Sequence, residues 1–214
     1  DREHGGYFWR VDTTGEPLDR TKKTYGQAFC IYSVSEYHRA TGEEDSLTAA
    51  QQLFELIERH AHDTEFGGYI EACADDWSEA SDLRLSDKDM DTAKSMNTHL
   101  HLLEAYTNLV FAIVDPRVVM RLNDLIGIFG RHIIHREENG LCLDHFFDDA
   151  WNLQSDTRTY GHDIEAAWLL CEAAEALRGE ELRETAELWA IELARSTLAE
   201  GLDVDGGLAY EGRG

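Results

Sequence analysis

Apolar positions fall at helical spacing in three paired runs along the chain. The first spans about Tyr25 to Ala40, with Cys30, Ile31, Val34 and Tyr37 at i, i+1, i+4 and i+7, and Thr41-Gly42 placed to stop it. The second follows an acidic start, Glu44-Asp45-Ser46, carries Ala49, Leu53, Leu56 and Ile57, and ends near His62. A connection this short predicts antiparallel neighbours. The pattern returns as helices from about Thr92 to Val114 and from Pro116 to His135, with Pro116 where a first-turn proline is tolerated. It returns again near His162 to Leu177 and Glu180 to Ala199. Glycine-led stretches separate the pairs. Gly5 to Asp12, running into Thr14-Gly15-Glu16-Pro17, has the character of a strand and turn, and Phe66 to Glu71, Asn139 to Asp144 and Gly206 to Glu211 echo it. The recurrence of Gly6, Gly68, Gly140 and Gly207 makes each unit a strand hairpin followed by a helix hairpin.

Helical hairpins that cannot bury both faces alone stack on their neighbours, and a closed ring of them leaves no exposed ends. The expected fold is therefore all-α, an α/α toroid, with strand hairpins and inner-helix starts gathered at one rim around a cavity. The chain opens on a hairpin with no helix pair before it and stops inside a fourth repeat, which predicts a partial toroid over residues 1–214.

Two of these helices carry polar residues that packing does not require. Behind Gly161, His162 and Glu165 share one face of a first turn, while Ile164, Ala167, Trp168 and Cys171 mark an apolar face. One repeat earlier, Asn97, His101, Glu104 and Asn108 form a polar stripe beside the mostly apolar Leu100, Leu103, Thr107 and Val110. His101-x-x-Glu104-Ala105 echoes His162-x-x-Glu165-Ala166, although aligning the downstream apolar residues sets Trp168 opposite His101. On either register both helices present a histidine to one cavity, His162 nearer the rim, and His99 points elsewhere and packs. A histidine with a glutamate is more often a satisfied structural pair than a catalyst. At His162, however, a helix N-terminus disfavours the imidazolium that Glu165 favours, a tension that poises the ring for proton transfer. Without an HExxH or a clustered third ligand, a metal at His101 and His162 is not expected. Tyr25, Tyr69 and Trp168 are candidates for stacking on a sugar, against the commoner role of an aromatic in the core.

Composition narrows the partners. At 214 residues and 43% hydrophobic content, one domain with a sizeable core is expected. A formal charge of -24 repels nucleic acid and anionic membranes and favours a neutral small molecule, although an acidic surface that serves solubility accounts for the charge by itself. Cys30, Cys73, Cys142 and Cys171 are scattered with no CxxC or tight Cys/His spacing, which predicts reduced thiols in a cytoplasmic protein and neither a disulfide framework nor a zinc knuckle. No apolar run approaches membrane length and no signal peptide is visible; the chain starts at Asp1 without an initiator methionine.

The stretches TKKTYGQAFCIYSVSEYHRATG (21–42), LRLSDKDMDTAKSMNTHLHLLEAYTNL (83–109) and YGHDIEAAWLL (160–170) resemble the cellobiose 2-epimerase branch of the N-acylglucosamine 2-epimerase superfamily. The resemblance implies an (α/α)6 barrel and, without a cofactor, reversible inversion at C2 of the reducing-end glucose of a β-1,4-linked disaccharide such as cellobiose. It places a catalytic acid/base at His162 supported by Glu165, and a second pocket histidine at His101 with Asn97 beside it. Tyr25 matches a pocket tyrosine and Asp89 a sugar-contacting aspartate, where the plainer roles are a core tyrosine and a solvated loop charge. The resemblance further implies a fragment of little or no activity on its own, monomeric when full length. Missing from it would be a first helix hairpin with an enediolate-stabilising arginine, and a C-terminal part with a tryptophan pair and another histidine. Inversion beside a carbonyl is simplest with two acid/base groups on opposite faces, so His162 needs a counterpart, either His101 or that further histidine. The alternatives are an aldose–ketose isomerase, a non-catalytic sugar-binding module, and an α/α-toroid glycoside hydrolase. A hydrolase needs two carboxylates, for which Asp75, Asp76 and Glu165 are candidates that no spacing singles out.

Overall fold

The computed structural model describes residues 1–138 and 140–213; Asn139, expected to open the third strand cycle, lies outside the described residues. In chain order, strands β1 (Arg10–Val11) and β2 (Pro17–Asp19) precede β3 (Lys22–Lys23), which leads directly into α1 (Thr24–Thr41); α2 (Glu44–His60) returns. After β4 (Ala72–Cys73), strand β5 (Lys94–Ser95) leads into α3 (Met96–Ala112), and α4 (Pro116–Ile128) follows. Then come β6 (Ile134–Glu137), β7 (Gly140–Leu143), β8 (Phe146–Phe147), β9 (Thr157–Thr159), α5 (Tyr160–Leu177), α6 (Glu180–Glu200) and β10 (Glu211–Arg213). Helices α1, α3 and α5 pack side by side, and each is backed by the helix that follows it. This is the α/α toroid arrangement, three helical hairpins with short strands at the inner-helix starts. No described helix is long and apolar enough to cross a membrane.

Local chemistry sets the helix ends. Gly42 takes φ 76°, the left-handed conformation that closes α1. Ser95 caps α3 by accepting the Thr98 N–H, so that helix begins at Met96 and not near Thr92. Asp115 caps α4 ahead of Pro116, and a π-helical turn at Phe129–Ile133 carries the chain into β6, which ends the helix short of His135.

The strands differ from expectation. Within Gly5 to Asp12 only Arg10–Val11 is strand, and Phe66 to Glu71 contains none. Three pairings instead link one repeat to the next: β3 with β4, β5 with β8, and β9 with β10, all antiparallel. Each strand that launches an inner helix is thus held by the following repeat. The glycine turns that precede these strands carry positive φ, as at Gly6 (69°), where an added Cβ would stand 2.6 Å from the Trp77 ring.

Two buried faces also depart from the apolar pattern. On α1 the buried residues are Thr24, Gln27, Ala28, Ile31 and Ser35, and Tyr37 is exposed. On α5 they include Ala166, Ala167, Leu169, Leu170, Ala173 and Ala174, whereas Ile164 and Trp168 are exposed.

The repeats align through buried polar anchors. Lys22, Lys94 and Arg158 each stand two residues ahead of an inner helix and are buried. Lys22 Nζ reaches the Asp1 carboxylate at 2.7 Å, Lys94 Nζ reaches Asp63 at 2.6 Å, and Arg158 Nε reaches Asp163 at 2.7 Å. The fourth residue of each inner helix, Gln27, His99 or Asp163, accepts a backbone N–H, from Tyr7 at 2.9 Å, Tyr69 at 2.9 Å and Leu143 at 3.1 Å. His99 is therefore a structural residue. This alignment sets Phe29, His101 and Glu165 at one level, which corrects both registers drawn from the sequence. The two His-x-x-Glu motifs are not repeat equivalents, and His162 stands one turn nearer the rim than His101.

Candidate functional site

The rim-side starts of α3 and α5, with the loop before β5, enclose a cavity of about 370 Å³ whose lining includes Glu71, Asp89, Asn97, His145, Thr159 and His162. His162 lies in the first turn of α5, half-buried. Its Nδ1 is 2.6 Å from Thr159 Oγ1, and the same hydroxyl is 3.2 Å from His145 Nε2. Burial lowers the His162 pKa below the ordinary 6.5; the charges of Glu165 and Asp89 oppose that shift and His101 adds to it. Burial, with His162 beside it, takes His145 down to about 4. Both rings are therefore neutral at pH 7, and the Thr159 hydroxyl links them.

His101 forms an adjoining cluster. Its Nδ1 lies 2.9 Å from Glu104 Oε2, and its ring meets Tyr25 edge-on at 5.0 Å and Phe29 at 4.7 Å between centroids. The Tyr25 pKa is raised by burial first and then by the charges of Glu165 and Glu104. Glu165 thus bears electrostatically on both Tyr25 and His162. Among the described residues, the hydrogen bond on His162 Nδ1 goes to Thr159 rather than to Glu165.

Asn97, Asp89 and His162 line the cavity together; Tyr25, His101 and Glu165 are not part of its lining, and the Glu165 charge acts on both Tyr25 and His162. Asn97 Oδ1 is buried without a hydrogen-bond partner among the described residues, and the residue contributes to the cavity wall. Asp89 Oδ2 accepts from the Ser86 hydroxyl at 2.6 Å. Of the other aromatic candidates, Tyr69 is a core residue that donates to Glu58 Oε1 at 2.7 Å, and Trp168 is exposed.

Glu71, His145 and Thr159 were not singled out by the sequence. Glu71 and His145 occupy one position in two repeats, the residue just before β4 and just before β8. That equivalence, which emerges once the strand pairing between repeats is known, is the signal that could have found them. Glu71 is fully enclosed and accepts from the Ser95 N–H and the Thr98 hydroxyl, each at 2.8 Å. Burial still raises its pKa from 4.5 to about 7. A folded-state pKa above the unfolded one stabilises the fold fully below the unfolded value, and that contribution is lost as pH rises through about 7. Buried neutral His99 and His145, with pKa values lowered to about 4, give a slope of the opposite sign, so the Glu71 contribution is read as a difference: from about pH 5 to about pH 8 the wild type should lose stability relative to Glu71→Gln by a free energy of order 3 kcal/mol. Parallel melting series of the two proteins measure it, and equal slopes would locate the titration elsewhere.

The fold is thus an α/α toroid whose rim gathers neutral histidines, carboxylates and an amide around one cavity. The N-acylglucosamine 2-epimerase (GlcNAc 2-epimerase) family matches residues 1–212, and the chain belongs to it. It is 44% identical over 211 residues to the cellobiose 2-epimerase of Bacteroides fragilis, covering 99% of this chain and 53% of that protein. It is 37% identical over 204 residues to the cellobiose 2-epimerase of Dictyoglomus turgidum, covering 95% and 51%. The structure of cellobiose 2-epimerase from Bacillus thermoamylovorans superposes with a TM-score of 0.91 at 35% identity, over 100% of this chain and 54% of that one. The chain spans about half the length of the curated relatives it matches.

Proposed function

We propose that the natural protein containing this chain is a sugar epimerase that reversibly inverts C2 of the reducing-end glucose of a β-1,4-linked disaccharide such as cellobiose. The observation that carries this reading is the neutral His162 held through Nδ1 by Thr159 at the wall of a cavity that Asn97 also lines. Within this proposal, residues 1–214 supply three of the six helical hairpins of a single (α/α)6 barrel domain. Its free cysteines accord with a reducing, cytoplasmic setting.

In the ring-opened sugar the C1 aldehyde acidifies the C2 hydrogen. His162 Nε2 takes that proton, the C2–H electron pair moves into the enediolate, and a second acid/base group returns a proton to the opposite face. His101 or a histidine outside residues 1–214 fills the second role. Donation from His162 Nδ1–H to Thr159, and from the Thr159 hydroxyl to His145, leaves the Nε2 lone pair free for the substrate. The Glu165 charge stabilises the imidazolium that forms, and the Asn97 amide hydrogen-bonds a sugar hydroxyl. The substrate's own carbonyl stabilises the carbanion, so the chemistry needs no cofactor. The hydrolase alternative finds no support in the site, because Asp75 and Asp76 lie outside the cavity lining and Asp76 is taken up with the Ser78 hydroxyl.

This assignment is tested by the pH dependence of kcat/KM. Activity should fall on the acid side as His162 protonates, with the limb below 6.5. Glu165→Gln removes a charge that raises the His162 pKa, so the limb should move further down. A limb that moves up, or stays fixed, would separate Glu165 from His162.

A further inference from the structure

The β6–β7 hairpin carries polar side chains that the mechanism above does not use. Its register pairs His135 directly with Cys142, and Glu137 follows His135 on the same face of the strand. His135 Nδ1 lies 2.9 Å from Asp144 Oδ1, while its Nε2 lies 3.3 Å from Glu137 Oε1 and 3.1 Å from Cys142 Sγ. One ligand atom each from His135, Glu137 and Cys142 falls within 4.8 Å of the others. In sequence this is His135-x-Glu137 and, five residues on from Glu137, Cys142-x-Asp144, a period-two pattern along the hairpin and not a CxxC spacing.

We propose that His135, Glu137 and Cys142 bind a single zinc-like divalent ion, with Asp144 orienting His135 and a water completing the tetrahedron. Thiolate, imidazole and carboxylate are the donor set that such an ion takes. A carboxylate on the far ring nitrogen fixes the tautomer that leaves Nε2 free to ligate, and Asp144 stands there. At ordinary bond lengths a tetrahedral ion sets sulfur and nitrogen about 3.6 Å apart, roughly half an ångström wider than the present contact, within reach of side-chain rotation.

Charge favours a cation at this place. Arg158 is shared among Asp163, Glu200 and Glu137, the last at 3.6 Å, and Arg136 pairs with Glu192 at 2.6 Å, so carboxylates outnumber the cations around the hairpin. Burial and the Glu137 charge hold the Cys142 thiol protonated. Binding exchanges that proton for the metal: the S–H bond breaks, an S–metal bond forms, and the proton leaves to buffer. The His135 side chain is 39% exposed and offers the ion an approach, whereas Cys142 is buried behind it. The site bears on the catalytic helix as well, because β7 ends at Leu143, whose N–H is held by Asp163 beside His162.

Cobalt(II) is the probe, because a thiolate–cobalt bond has its own charge-transfer band and zinc displaces cobalt without absorbing. The chelator-stripped chain titrated with cobalt(II) should show this band saturating at one ion per chain and vanishing on addition of zinc. Cys142→Ser should abolish the band, and Asp144→Asn should weaken binding by about tenfold or more, with circular dichroism reporting the fold of each variant. A wild-type chain that shows no thiolate–cobalt band overturns the proposal without reference to any variant. So does a band that survives in Cys142→Ser, which would come from another cysteine.

Discussion

Alanine in place of His162 should slow C2 proton exchange in the full protein by about 10²–10⁴-fold, the range for loss of a positioned acid/base group. Burial lowers the pKa of this ring and keeps it neutral at pH 7, while the Glu165 and Asp89 charges oppose that shift and favour the proton it accepts. His145 cannot substitute, since at about 4 it is too weak a base. The fold should survive the change, because among the described residues the hydrogen bond that His162 makes is to the Thr159 side chain and not to the backbone. A variant with unchanged circular dichroism and a wild-type exchange rate would remove His162 from the mechanism. Thr159→Val is the companion experiment; it keeps the base and loses the contact on Nδ1, so it should lower kcat more than it raises KM.

Asp163→Ala should cost about 3–5 kcal/mol of stability, the usual penalty for breaking a buried ion pair from one side. Asp163 is fully buried; its Oδ2 holds Arg158 at 2.7 Å and its Oδ1 accepts the Leu143 N–H at 3.1 Å. Truncation leaves the Leu143 N–H and one edge of a buried guanidinium unpaired. Asp163→Asn can keep the acceptor for Leu143 and should lose less. Urea titration of the two variants measures the difference, and a loss below about 1 kcal/mol for the alanine would mean that the other Arg158 partners carry the anchor.

The six described helices were legible because their signals are local. Pro116 at a first turn, Gly42 after α1 and the acidic start of α2 act within a few residues, and each helix pair has a short connection. The strands were misread because their partners are distant: β5 pairs with β8 across the whole of α3 and α4, which no local hairpin pattern reports. The register between repeats escaped for a different reason. Its anchors share a role but not an identity, lysine or arginine ahead of each helix and glutamine, histidine or aspartate in the first turn. The candidate site was legible as far as helix faces reach. Asn97, His101, His162 and Glu165 project from inner helices at readable spacing, whereas Thr159, His145 and Glu71 sit on or beside strands whose placement depends on that distant pairing.

Glu71 and His145 also show how one position serves two ends. At the same place in successive repeats, the first is bonded to the start of α3 and the second is linked through Thr159 to the start of α5. The repeat supplies the location, and the side chain decides whether it becomes an anchor or part of the pocket.

The central claim is tested most directly by incubating the full natural protein with cellobiose in deuterated water and following the reducing-end sugar by NMR. Deuterium entering at C2 together with a glucosyl-mannose product is the predicted result. A keto product would indicate isomerisation, monosaccharides would indicate hydrolysis, and a fold protected by cellobiose with no exchange would indicate a binding module; each of these would contradict the epimerase account.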